Sequence, residues 1–328
     1  MSDAVRGVRS LVYVPNLRSN SVSIIDPNTF KVIRTVKVGK EPQHVVPSWD
    51  LKTLWVNNDL GNSLTPIDPR TGKFGKPVKV HDPYNLYFIP DGKYAVVMAS
   101  KDHQIVFRDA HTMKVHKSIP AGCDGVNHAD WSADGLTFVV SCEFSGSLLL
   151  VDTAAEKVLK EVKLPRDFVN RRGHPMPQDV KISPDGKTYY IADMASNGVW
   201  VMSANPKDFG KVRLLKTGKG THGLYVTRDS QNLVITNRGE GSISLMRFSD
   251  NRAIHKWKIP GGGSPDMGGI SADGKIFWAS GRYNNVVYAI RLSDGKLLAK
   301  IKVGLEPHGL AVYPQPGRYS LGHTGVFR

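Results

Sequence analysis

The chain has 328 residues, with 44 lysines and arginines against 29 aspartates and glutamates, a formal net charge of +15. Hydrophobic residues make up 40%, enough for a sizeable core, and the 32 glycines and 20 prolines are scattered without a collagen-like period, which points to many turns. No run approaches the ~20 apolar residues that cross a bilayer, and the two cysteines, Cys123 and Cys142, exclude a small disulfide-stapled fold.

The first predicted elements are three strands, Leu11-Val12-Tyr13-Val14, Ser21-Val22-Ser23-Ile24-Ile25-Asp26 and Val32-Ile33-Arg34-Thr35-Val36-Lys37-Val38, with the turn Asp26-Pro27-Asn28-Thr29 before the last. From there an aspartate recurs after a β-rich segment, at Asp50, Asp91, Asp134, Asp185, Asp229 and Asp273, about every 40 to 50 residues. Four of these precede Gly92, Gly135, Gly186 and Gly274, a pairing that suits tight hairpins because glycine tolerates positive φ. A β-branched and aromatic run follows each aspartate: Leu54-Trp55-Val56, Tyr94-Ala95-Val96-Val97, Phe138-Val139-Val140, Tyr189-Tyr190-Ile191, Leu233-Val234-Ile235 and Ile276-Phe277-Trp278. Third strands such as Ser147-Leu148-Leu149-Leu150-Val151-Asp152 and Ser242-Ile243-Ser244-Leu245-Met246 come next. The alternation has a period of two, and no window carries a helical stripe. Four short antiparallel strands per repeat describe one propeller blade.

Third-to-fourth-strand turns occur seven times, at Asp26, Asp68, Asp109, Asp152, Asn205, Asp250 and Asp294. The first unit lacks its first strand, and Pro307-His308-Gly309-Leu310-Ala311-Val312 supplies one at the other end. The sequence thus predicts an all-β, seven-bladed β-propeller closed by a C-terminal strand that completes the N-terminal blade. We read residues 1–328 as a single propeller domain, with repeats over about 11–313 and a tail, 314–328, unlike the repeat. For His323 in that tail, packing or closure is expected before ligation.

Tyr13-Val14-Pro15-Asn16, Trp55-Val56-Asn57-Asn58 and Val234-Ile235-Thr236-Asn237 are variants of one signature, and Ser183-Pro184-Asp185-Gly186-Lys187 matches the hairpin that goes with it. On these residues the chain resembles the YVTN β-propeller repeat family over roughly 11–313. Haem d1-binding propellers and the propeller of nitrous oxide reductase are more distant relatives. The resemblance implies the fold and assigns no cofactor to particular residues.

The Asp-Gly hairpins lie at one face of such a ring, so the first-strand starts are expected at the other, around the central channel. They read Gln43-His44, Tyr84-Asn85, Asn127-His128, Gln178-Asp179, His222-Gly223, Asp266-Met267 and His308-Gly309. Four of the 11 histidines fall here. His44 and His128 stand one position later than His222 and His308, so period-two alternation points the two pairs differently. Counting across each hairpin puts Cys142 opposite Asn127 and His128, Asp193 near Gln178, Asn237 near His222 and Gly281 near Asp266, with Arg238 and Arg282 adjacent.

Imidazole and thiolate donors suit copper, iron or zinc, although no Cys-x-x-Cys or His-Glu-x-x-His spacing occurs. The leading reading is an axial-site binding protein or enzyme, metal- or haem-dependent and redox-active, acting on a small anionic ligand. His44, His128 and Cys142 would hold the ion. His222, His308, Asp266 and Asp179 would do acid–base or orienting work. Arg238, Arg282, Asn85, Gln178, His174 and Arg171 would bind ligand, the last two from an insertion at residues 166–174 that also carries Phe168. Two alternatives stand beside it: a non-catalytic interaction scaffold with a protein partner, and a metal-independent lyase using His/Asp pairs. The sequence leaves open whether Cys142 is a thiol or is bridged to Cys123.

The lysines recur blade by blade, as in Lys31 and Lys37 or Lys296, Lys300 and Lys302, which spreads the charge around the circumference. With no groove-reading helix or aromatic platform, nucleic acid is not an expected partner; a small anion at the axial face is. The start, Met1-Ser2-Asp3-Ala4, has no signal-peptide pattern. The compartment stays open: periplasmic or extracellular if a leader was removed, otherwise cytoplasmic.

Overall fold

The computed structural model describes residues 1–167, 173–323 and 326–328. Their strands form seven antiparallel sheets, six of four strands and one in which the fourth strand is broken into Lys73–Phe74 and Val78–Lys79, both paired with Ser63–Asp68. Gly75 and Pro77 lie in the break, and proline has no N–H to give a ladder. Strand Leu11–Asn16 pairs with Ala311–Tyr313 through Leu11 opposite Tyr313 and Tyr13 opposite Ala311. The expected seven-bladed propeller, with chain ends sharing a blade, is what forms. The closing strand is shorter than the sequence suggested, with Pro307 bridged separately to Asn16.

One irregularity recurs where first strands begin. Pro42 pairs with Asn58 and Val45 with Val56, so three steps on the first strand match two on the second. The same shift separates Val126 from Ala129, Pro177 from Val180, Thr221 from Leu224 and Pro265 from Gly268. This is a β-bulge, one extra residue that breaks the alternation of faces. The second-strand hydroxyls satisfy the main chain there: His128 N–H donates to Ser141 Oγ (3.2 Å) and Gly223 N–H to Thr236 Oγ1 (2.7 Å). The asparagine ending the YVTN-like signature has its own task. Asn237 Nδ2 donates to Ser242 and Ser244, Asn58 Nδ2 to Ser63 and Thr65, and Asn16 Nδ2 to Ser21 and Ser23. Each asparagine thereby ties the second strand of its blade to the third.

The chain divides into two compact units, Met1–Val97 with Arg108–Lys114 and Gly263–Arg328, and Met98–Phe107 with Val115–Gly262. In the first, Tyr13, Val22, Ile24, Leu54, Val56 and Tyr313 form one apolar cluster, and Val12, Val14, Trp278, Val287 and Leu310 another. In the second, Val139, Leu148, Val180, Tyr189, Ile191 and Trp200 pack together, beside Tyr190, Val199, Leu224 and Ile235. Buried aspartates brace this unit's first strands: Asp130 accepts Ile182 N–H (2.9 Å) and Asp179 accepts Leu224 N–H (2.9 Å). No helix among the described residues is long and apolar enough to cross a membrane.

Trp278 is fully buried and lies 5.7 Å, between ring centroids, from Phe30. Trp278→Ala is expected to lower the free energy of unfolding in urea by about 3–5 kcal/mol, whereas Leu136→Ala, at an exposed hairpin, should change it by less than about 0.5 kcal/mol.

Candidate metal and ligand site

Gln43 and His44, Asn127 and His128, Gln178 and Asp179, and Asp266 and Met267 are all buried, together with His222 and His308. The expectation that His44 and His128 point away from the other pair, drawn from strict alternation, fails because the extra residue resets the register.

In the first unit, three histidines and an aspartate gather. The His44 ring lies 4.9 Å from the His308 ring and 5.1 Å from that of His323, and all three are fully buried. His44 Nδ1 is 2.9 Å from the Tyr84 carbonyl and His308 Nδ1 is 3.2 Å from the Gln43 carbonyl. A carbonyl only accepts, so each neutral ring carries its proton on Nδ1 and keeps its lone pair on Nε2. His308 Nε2 is 3.6 Å from Asp266 Oδ2, and Arg282 Nη1 reaches the same oxygen at 3.4 Å. Burial works against the Arg282 charge, but the neighbouring Asp266 carboxylate prevails and raises its pKa above the ordinary guanidinium value. Asn85, also buried, donates from Nδ2 to His323 Nδ1 (3.1 Å).

In the second unit, the rings of His128 and His222 meet edge to face at 6.3 Å, and His128 and Asp179 place ligand atoms within 4.8 Å of one another. Asp179 also accepts Val180 N–H (3.0 Å) and lies 3.7 Å from the buried Lys181 Nζ. Gln178 Nε2 donates to the Met176 carbonyl (3.1 Å), and Arg238 Nη2 lies 2.7 Å from Met194 Sδ. His174 Nδ1 sits 2.8 Å from the carbonyl of Pro175 next to it. Arg171 and Phe168 lie outside the described residues.

Cys142 requires a correction. It is bonded to Cys123, so its sulfur is spent in a disulfide and offers no thiolate to a metal. The hairpin arithmetic was also one residue out: Cys142 pairs with Val126, Asp193 with Pro177, Asn237 with Thr221 and Gly281 with Pro265. These side chains serve the blade instead. Asp193, for example, accepts Trp200 Nε1–H (2.8 Å) and two main-chain N–H groups, while burial pushes its pKa up.

His323, for which the sequence favours packing or closure over ligation, belongs to the histidine cluster. The available signal was a histidine in a segment with no counterpart in the repeat. Tyr84 was read as a polar start residue, whereas its carbonyl does the work. A thiol count checks the disulfide: denatured, unreduced protein should take up no alkylating reagent, and reduction should expose both cysteines. Removal of the bridge with Cys123→Ser and Cys142→Ser should cost about 2–5 kcal/mol of stability.

Comparison with solved structures finds the same fold at low identity. A hydrazine synthase from Kuenenia stuttgartiensis is 19% identical, with a TM-score of 0.66 over 81% of this chain and 87% of that one. A protein of unknown function from Desulfotomaculum acetoxidans is 14% identical, with a TM-score of 0.77 over 93% and 99%. The dihydro-heme d1 dehydrogenase NirN in complex with DHE is 12% identical, with a TM-score of 0.67 over 94% and 76%. No curated protein matches the sequence. A family model for YncE-like β-propellers matches residues 4–317, and the chain belongs to that family.

Proposed function

We propose that the protein binds a transition-metal ion through Nε2 of His44 and His308, with the Asp266 carboxylate as a further oxygen donor. The observation that carries this reading is the pair of Nδ1–H···O=C bonds to Tyr84 and Gln43. Metal-binding histidines characteristically donate the other ring N–H to a carbonyl or carboxylate, which fixes the tautomer and raises ligand basicity. Two imidazoles and a carboxylate suit zinc, iron or copper better than magnesium or calcium. When bound, the ion would act as a Lewis acid or carry an electron. Arg282, partly exposed above Asp266, would draw a small anionic ligand towards it.

A redox role is the finer form of this reading. It is supported by the donor set and by two proteins of similar fold, a hydrazine synthase and a dihydro-heme d1 dehydrogenase. The disulfide favours an oxidising compartment, periplasmic or extracellular, because cytosolic thiols are kept reduced. The His308–Asp266 contact also favours a second reading, a metal-independent lyase in which His308 Nε2 takes a proton and the Asp266 carboxylate stabilises the imidazolium that forms.

Metal analysis and an absorption spectrum of protein purified without chelator separate these readings. We expect stoichiometric metal, or uptake of one Co2+ per chain in the apo protein, with affinity falling by on the order of 100-fold in His44→Ala/His308→Ala. A Soret band would assign the site to haem. Protein that holds no metal and ignores added Co2+ would contradict the metal reading and leave the lyase or a scaffold.

A further inference from the structure

The asparagines that tie second strands to third leave the serines they bond with a proton to give. In the blade of Ser242–Arg247, the Asn237 amide donates to the Ser242 and Ser244 hydroxyls, so each serine accepts there and keeps its own O–H for another partner. Ser242 donates to Glu240 Oε1 (2.6 Å), Lys256 Nζ lies 2.7 Å from the same oxygen, and Lys219 N–H donates to Oε2 (2.9 Å). Burial opposes the charge, but these donors prevail and hold the Glu240 carboxyl below its ordinary range. The frame is a seat for a carboxylate, and in this blade the chain fills it with its own side chain.

The blade of Ser21–Asp26 repeats the frame. Asn16 donates to Ser21 (3.2 Å) and Ser23 (3.0 Å). Ser21 pairs with Lys37 and Ser23 with Thr35, just as Ser242 pairs with Lys258 and Ser244 with Lys256. Gly304 covers Asn16 as Gly218 covers Asn237: a Cβ at either glycine would meet the asparagine Cγ, at 2.7 and 2.5 Å. The difference lies two residues before the first serine, where Ser19 stands in the place of Glu240 and takes the Leu305 N–H on its Oγ (2.8 Å). The shorter side chain goes with a cavity of about 470 Å³ lined by Ser21 and Ser23, with Val32 and Val303 as apolar walls. Lys37 and Lys302 also line it, and no acidic residue does. Lys37 Nζ is held on the Ser19 carbonyl (2.9 Å), and neither lysine forms an ion pair among the described residues. Ser21 is 2% exposed, and among the described residues its hydroxyl proton has no acceptor.

We propose that this cavity binds a small organic carboxylate, seated on the Ser21 hydroxyl between the Lys37 and Lys302 ammonium groups, as the Glu240 carboxylate is seated in its own blade. None of these residues belongs to the proposed metal site. The valine walls suit a ligand with a carbon body, which an inorganic anion lacks.

Benzoate titrated into metal-free protein, followed through the Val32 and Val303 methyl signals by carbon-13 NMR, tests this. The wild type should show saturable, millimolar binding at these methyls, weakened by salt because both lysines are exposed. Benzyl alcohol, which has the ring without the charge, should bind about tenfold more weakly or less. Ser21→Ala should weaken benzoate about tenfold, the loss of one hydrogen bond to a charged group. Lys302→Gln, at a surface position that leaves the core untouched, should weaken it about threefold. Ser19→Glu carries the Glu240 arrangement into this blade: the introduced carboxylate should occupy the cavity and abolish the benzoate shifts, with a melting temperature unchanged or higher. No saturable shift of these methyls below about 50 mM benzoate would overturn the proposal. So would equal binding of benzyl alcohol, unchanged affinity in both Ser21→Ala and Lys302→Gln, or benzoate shifts that persist in folded Ser19→Glu.

Discussion

The extra residue at the start of the first strands governs the rest of the chemistry. In a regular strand, neighbours face opposite ways. The bulge interrupts that alternation, and it leaves a main-chain N–H outside the regular ladder. Ser141 and Thr236 accept that N–H in their blades. The Ser/Thr preceding the terminal Asn or Cys of the second strand is thus coupled to the polar residues of the first. A propeller built with these bulges can present adjacent Gln-His, Asn-His or Gln-Asp pairs and still bury them.

Burying such groups is costly unless each is bonded. Main-chain atoms do much of the bonding here. Carbonyls of Tyr84 and Gln43 take the ring protons of His44 and His308, and main-chain N–H groups of Val180 and Leu224 occupy Asp179. Because the backbone sets these roles, the tautomers are properties of the fold. Asn85 is the exception: a side-chain amide, itself fixed by the main chain, gives His323 a different role from its neighbours.

The fold was legible because its signals are local and repeated. Asp-Gly hairpins, β-branched runs and the seven third-to-fourth-strand turns report the blade directly, and Pro307 to Val312 reports closure. The site was legible only in outline. Gathering of His44 with His308 and Asp266 follows from first-strand starts, but counting in twos cannot detect a bulge, and this put Cys142, Asp193 and Asn237 beside the wrong partners. Cys142 illustrates a second limit. Its pairing with Cys123 depends on where a loop returns, which spacing alone does not fix. His323 illustrates a third, since a tail outside the repeat borrows no register from it.

The account depends on protons sitting where the carbonyls and Asn85 put them. Nitrogen-15 NMR of the histidine rings in the metal-free protein measures this directly, through the couplings of each ring nitrogen to the ring carbon protons. The account predicts Nδ1–H tautomers for His44 and His308 and an Nε2–H tautomer for His323. An Nε2–H tautomer at His44 or His308, or an Nδ1–H tautomer at His323, would contradict it.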